Sequence, residues 1–231
     1  MNNPRILIAC EESQAVTIAF RERGFEAFSC DIEECSGGHP EWHIKKDVLG
    51  VINYGWDAMV AFPPCTYLSN VGNGWFIEER YGEKARVRKR KRIEAYKFFL
   101  KLWDCGIPHI AIENPQGYIN SHLQHTPEQK QRIHPYYFGD PEMKRTYLWL
   151  RGLPPLTYRL EKNLFGDRTA TDKPEPKGYH KNGRQKGKPI YFTESHGFTP
   201  ERAKVRSKTF PGIAAAMAEQ WGEFLFKKLR R

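Results

Sequence analysis

The stretch "DAMVAFPPC", Asp57 to Cys65, constrains the fold more than any other. From Ala58 to Phe62 it carries no polar side chain, so a strand there needs cover on both faces. Strands covered on both faces belong to the interior of parallel sheets. Two prolines then end the run, because proline lacks the backbone donor and fixes φ. Cys65 is thereby placed in a rigid turn at the carboxyl end of a strand, the edge where open α/β sheets bind ligands. A single cysteine is more often a buried, inert one, so its role depends on what else reaches that edge.

Other segments repeat the pattern. "RILIA" (Arg5 to Ala9) is a short apolar run of the buried parallel type. "SQAVTIAFRERG" follows with Val16, Ala19 and Phe20 at helical spacing and Gly24 as the stop. "FEAFSCD" predicts a second strand ending at Asp31, and "HIAIENP" a later one ending in Glu113-Asn114-Pro115. Between them, "KARVRKRKRIEAYKFFLKLWDCG" predicts a helix with Ile93, Tyr96, Phe99, Leu100 and Trp103 on one face and a nearly solid basic face opposite. "HPYYFG" and "RTYLWL" predict a closing pair of strands, and "PGIAAAMAEQWGEFLFKKL" a C-terminal helix. Alternating strands and helices predict an α/β fold with a doubly wound, mostly parallel sheet. Residues 1–153 and 207–231 are expected to form it. The Pro-, Gly-, Lys- and Arg-rich residues 154–206 read as a small basic insertion.

A chain of 231 residues suffices for one such domain. Its net charge is +10 and unevenly placed: Arg80 to Lys101 carries +8 and Pro154 to Lys208 +7, leaving the remainder at −5. Positive charge concentrated against an acidic background fits a polyanion, nucleic acid above all. The five cysteines, odd in number and without a tight framework, suggest free thiols in a reducing compartment. Without a membrane-length apolar run or a signal-peptide core, the expected location is the cytoplasm. Cys30, Cys35, His39 and His43 have a loosely zinc-like spacing, but the loop is crowded and no metal is expected.

Cys65 and Glu113 end neighbouring strands at the same edge. A thiol beside a carboxylic acid suits addition to C6 of a pyrimidine, with the acid engaging the ring nitrogen that gathers charge. The addition turns C5 into a nucleophilic enamine carbon. In this order the motifs resemble those of the DNA (cytosine-5) methyltransferases, in a short form of the kind phages encode. "PPC" (Pro63, Pro64, Cys65) resembles the nucleophile motif and "ENP" (Glu113, Asn114, Pro115) the Glu-Asn-Val motif. "YYFGDPEMKRTYLWL" resembles the Phe-Gly-Val-Pro-Gln-x-Arg-x-Arg segment, and "FPGIAAAMA" occupies the place of the helix that closes over the methyl donor.

The resemblance implies a Rossmann-like fold of the class I methyltransferase type and S-adenosylmethionine (AdoMet) as donor. It makes Cys65 the nucleophile and Glu113 the acid at N3, with Asn114 fixing the loop. Cys10, Glu11, Glu12 and Ser13 would form the donor turn, with Asp31 at the ribose, Asp47 at the adenine amino group and Pro63 flanking. The expected partner is duplex DNA with a flipped cytosine, held by Arg86, Arg88, Lys89, Arg90, Lys91, Arg92, Lys144 and Arg145. Tyr67, Trp75 and Phe76 are candidates to fill the vacated stack. Three features differ from the family: "ACEESQ" has no glycine in the donor turn, the Gln-x-Arg-x-Arg positions hold Glu142, Lys144 and Thr146, and only the basic insertion 154–206 stands in place of a large target-recognition domain. The alternatives are cytosine-5 modification of RNA, single-stranded DNA or a cytosine nucleotide, and an inactive methyltransferase fold that binds DNA.

Overall fold

A computed structural model of the chain describes residues 3–158, 173–183, 186–191 and 208–229. Seven strands form one sheet: β1 (Arg5–Ala9), β2 (Glu26–Asp31), β3 (His43–Lys45), β4 (Ala58–Ala61), β5 (His109–Asn114), β6 (Lys130–Ile133) and β7 (Thr146–Arg151). Their order across the sheet is β3-β2-β1-β4-β5-β7-β6. β1 to β5 pair in parallel, and β7 runs antiparallel to β5 and β6. This is the doubly wound, mostly parallel, Rossmann-like sheet that the alternating pattern predicts. The chain winds outward in both directions from β1 and β4, so the crevice above their carboxyl ends is the natural ligand site.

Side chains alternate across each strand, so every apolar run feeds two cores. Ile6 and Ile8 pack with Val16 and Phe20 of α1 (Ala15–Glu22) and with Ile213, Met217 and Trp221 near the C-terminus. Leu7 and Met59 face the other way, onto Phe99, Leu102 and Trp103 of α3 (Glu83–Trp103), which follows the short α2 (Glu78–Tyr81). Fully burying such a side chain contributes about 1.5–3 kcal/mol. The C-terminal helix comprises α5 (Pro211–Ala216), a π-turn (Met217–Trp221) and α6 (Gly222–Leu229); α4 (Tyr118–His122) is one short turn after β5.

Three local expectations are corrected. "HPYYFG" is no strand: Pro135 opens a 3₁₀ turn over Pro135–Phe138 that stops at Gly139, which has φ +98°, and the strand paired with β7 is the preceding Lys130–Ile133. The loop-like stretch after Cys65 contains a 3₁₀ segment, Asn70–Phe76, and α2. On α3 the buried stripe is Ala85, Phe99, Leu102 and Trp103, whereas Ile93 is 42% exposed. The basic insertion lies largely outside the described residues. Of it, β8 (Gly178–Tyr179) and β9 (Pro189–Ile190) pair antiparallel, and Thr157 bonds Gln220 of the C-terminal helix. No helix among the described residues is long and apolar enough to cross a membrane.

The start of α5 is docked through Gly212, whose N–H donates to Asp140 Oδ2 at 2.9 Å. A Cβ on Gly212 would overlap the Phe138 carbonyl oxygen. Gly212→Ala is therefore expected to lower stability by about 1–3 kcal/mol, the usual effect of overpacking, read as a shift in the denaturant midpoint. An unchanged midpoint would show that α5 is not seated on this turn.

Candidate active site

The strand register lines the predicted residues up along one edge. Ala9 pairs with Cys30 and with Ala61, and Ala61 pairs with Ile112. Cys10, Asp31, Phe62 and Glu113 are the next residues on these four strands, so they share the carboxyl edge in the crevice above β1 and β4.

Beyond Phe62 the chain turns at Pro63-Pro64, and the Cys65 carbonyl accepts the N–H groups of both Leu68 and Ser69 at 3.0 Å. Leu68 is buried and anchors this turn in the α3-side core, while Cys65 itself is half-buried. Glu113, at the end of β5, accepts a hydrogen bond from the Thr146 hydroxyl of β7. Thr146 thus contacts the acid directly. Asn114 is fully buried, and neither polar atom of its side chain has a partner among the described residues.

The Cys65 turn and the Glu113 exit are joined, a feature sequence reasoning missed. Ser69 and Gly117 form an antiparallel bridge, flanked by Tyr118 N–H to Leu68 O at 2.7 Å and Asn70 N–H to Gln116 O at 3.0 Å. Gly117 is required by close approach, since a Cβ there would overlap the Leu68 carbonyl. Arg145 reaches the same junction, donating to Gln116 Oε1 at 3.2 Å. Beside it lies a small pocket lined by Phe62, Glu113, Lys144, Thr146, Phe210 and Ile213, among others. Glu113 and Lys144 supply opposite charges in an otherwise mainly apolar lining.

The donor turn at the end of β1 departs from the expectation at Glu11. Its carboxylate is buried and accepts Val16 N–H at 2.7 Å, Thr17 N–H at 3.2 Å and the Thr17 hydroxyl at 2.8 Å. It therefore caps α1 from within. Burial pushes its carboxyl up to about 7 against the opposing hydrogen bonds. Cys10 takes φ +58°, a conformation that costs an ordinary side chain and that glycine adopts freely. Burial first, then Asp31, Cys30 and Asp47, push the Cys10 thiol up, so it stays protonated.

The loop after β2 folds over this turn. Ser36 N–H donates to Glu12 O, and Gln14, fully buried at φ +58°, clamps His39 through both its amide atoms. Asp31 Oδ1 accepts Glu33 N–H and Asp47 Oδ1 accepts Leu49 N–H, so each carboxylate holds its own turn and keeps a second oxygen. Ile32, directly after Asp31, is 73% exposed, and sequence reasoning did not single it out. Its signal was an apolar side chain directly after the strand-ending acid.

The zinc-like quartet is not assembled. Cys30 donates to Lys46 O, His39 stacks on Trp42 at 3.9 Å, and His43 bonds Ser29 and the Glu33 carbonyl. Among the described residues, no three His, Cys, Asp or Glu side chains converge as a metal site.

The basic face of α3 also differs from the expectation. Arg86 and Lys89 pair with Glu78, and Arg86 and Arg90 with Glu83, all on the exposed surface. Arg88 and Arg92 turn inward onto the loop that follows Cys65. Lys91 stays exposed, with Nζ 5.7 Å from the Tyr67 ring. Phe76 lies under Arg92, while Trp75 is 56% exposed beside Tyr81.

No protein-family model matches the chain, and no curated protein matches it. Among solved structures, the Dnmt2 methyltransferase of S. pombe is similar at 14% identity and TM-score 0.43, over 66% of this chain and 52% of that one. A mutant DNMT2 of Spodoptera frugiperda is similar at 16% identity and TM-score 0.41, over 69% and 54%. The Entamoeba histolytica methyltransferase EhMeth is similar at 13% identity and TM-score 0.44, over 75% and 58%. The chain spans about half the length of these structures. At such scores the likeness says nothing of activity, which rests on the side chains at the sheet edge.

Proposed function

We propose that the protein methylates C5 of cytosine in DNA, with AdoMet as donor and Cys65 as a transient covalent nucleophile. The observation that carries this reading is the bridge Ser69–Gly117, which ties the Cys65 turn to the Glu113 exit beside a cavity that Glu113 lines. A binding-only module has no need of a thiol and a carboxyl so joined.

The donor is tested by what stands above β1 and β2. The second Asp31 oxygen suits vicinal hydroxyls, exposed Ile32 suits the face of a flat ring, and Cys10, Ser13, Asp47 and Pro63 are the further contacts of this reading. Bound there, AdoMet supplies an electrophilic methyl group. Ile32→Ala is expected to raise the AdoMet Kd about 5- to 30-fold, since removing this contact forfeits about 1–2 kcal/mol of apolar burial. Calorimetric titration reads this directly, and an unchanged Kd would move the donor elsewhere.

On the substrate side, the Cys65 sulfur adds to C6 while Glu113 engages N3, where negative charge gathers. The Thr146 hydroxyl holds one Glu113 oxygen and leaves the other for the ring. Pro115 stiffens the exit from β5. After C5 is alkylated, loss of its proton expels the sulfur and restores the aromatic ring. Lys144 and Arg145, with the exposed Arg86, Lys89, Arg90 and Lys91, provide phosphate contacts that position without specifying sequence. Label transfer from methyl-labelled AdoMet to DNA, RNA and dCMP, followed by digestion to nucleosides, tests the reading. 5-Methylcytosine formed in RNA alone would replace the DNA assignment, and no transfer to any substrate would leave a binding protein.

A further inference from the structure

Two arginines of α3 do something that a phosphate-binding face does not require. Arg88 donates from Nη2 to the Thr66 carbonyl at 3.3 Å, and Arg92 donates from Nε to the Tyr67 carbonyl at 2.9 Å. Arg92 also donates from Nη2 to Asn73 Oδ1 at 2.7 Å, and its guanidinium lies 3.3 Å from the centroid of the Phe76 ring. Arg88 stands 5.0 Å from the Tyr67 ring and 5.1 Å from that of Phe76. Thr66 and Tyr67 are the two residues that follow Cys65. Four residues apart, the arginines lie on one helix face, each half-buried, in line with buried Ala85 and Phe99.

We propose that Arg88 and Arg92 are positioning residues, a guanidinium clamp that fixes the backbone carbonyls of Thr66 and Tyr67 and thereby the Cys65 sulfur. The inference rests on the reading of Cys65 as the nucleophile. The turn is held from both sides: the Ser69–Gly117 bridge from β5, and the clamp from α3. Only a planar fork satisfies the Arg92 contacts together, since it donates along two directions while its face stacks on an aromatic ring. A lysine in its place keeps the charge and the aliphatic stem but not that geometry. The substitution Arg92→Lys thus separates a clamp from a phosphate contact, for which a lysine serves as well.

The test uses the full chain. Native protein is alkylated with iodoacetamide over a range of pH, and modification of Cys65 is mapped by mass spectrometry against Cys105 as an internal reference. Loosened clamping is expected to speed Cys65 alkylation about fivefold or more relative to Cys105 in both Arg92→Gln and Arg92→Lys. Misplacing the sulfur is expected to lower kcat for methyl transfer about tenfold or more with KM for AdoMet unchanged. A general loss of structure would raise both cysteines together and overturn the proposal. So would an alkylation ratio that Arg92→Lys restores to wild type, or a ratio unchanged in both variants while the salt slope of DNA binding falls by about one. Should Arg92→Gln fail to fold, Arg92→Lys and Arg88→Gln are judged by the same ratio. If Cys65→Ser still transfers methyl groups, the functional reading falls, yet the Cys65 to Cys105 ratio still decides whether the clamp holds the turn.

Discussion

Cys65→Ser is expected to lower methyl transfer by about four orders of magnitude or more, because removing the nucleophile of a covalent mechanism leaves only binding and positioning. A serine hydroxyl fits the same half-buried turn, whose backbone hydrogen bonds from Leu68 and Ser69 end on the Cys65 carbonyl. Folding is therefore expected to survive, with a thermal midpoint close to that of the parent. Affinity for duplex DNA is expected to stay within about twofold, since backbone phosphate contacts supply most of it. The measurement pairs label transfer with a binding titration on the same preparations. Full transfer by Cys65→Ser would sink the covalent mechanism and, with it, the assignment of Glu113 to a charge-gathering ring nitrogen. Loss of both transfer and DNA affinity would point instead to a turn that fails to fold.

Much of this site was legible because it is local. Cys65, Glu113 and Asp31 each follow an apolar run at a turn signal, and the parallel register of the strands then brings Asp31, Phe62 and Glu113 level. The inward packing of Arg88 and Arg92 was not legible for a reason of composition. An arginine in a basic run looks solvated, yet its stem and planar head pack well on aromatic rings. Their phase with Ala85 and Phe99 was the available signal, and Ile93 drew the stripe to the wrong side of α3. Glu11 carried a competing signal. An acid just before an apolar helical pattern is a cap candidate, and the donor reading of the same turn displaced it. "HPYYFG" failed because aromatic content suggests a strand, whereas Pro135 and Gly139 bracket a single 3₁₀ turn.

What stayed invisible depends on contacts between segments far apart in sequence, and Gly117 shows how much rests on one of them. Gly117→Ala is expected to lower kcat/KM about 100-fold or more, the scale of a reacting group misplaced by about 1 Å. The added methyl group would overlap the Leu68 carbonyl and come within 3.0 Å of Ser69 Cα. Neither atom can retreat easily, since Leu68 is 1% exposed and its carbonyl accepts the Tyr118 N–H. The two strands of the bridge must part, and the Tyr118 and Asn70 hydrogen bonds, about 1 kcal/mol each, lengthen or break. The Cys65 turn then separates from Glu113 while β1 and β2 stay as they are. Binding of AdoMet above β1 and β2 is accordingly expected to change by less than about twofold. Gly106→Ala is the matched control, because a Cβ there meets nothing within 4 Å. Methyl transfer and AdoMet affinity measured on both variants separate the two ends of the crevice. Wild-type turnover in Gly117→Ala would mean that the thiol and the carboxyl act without being joined, and the argument from the bridge would fail.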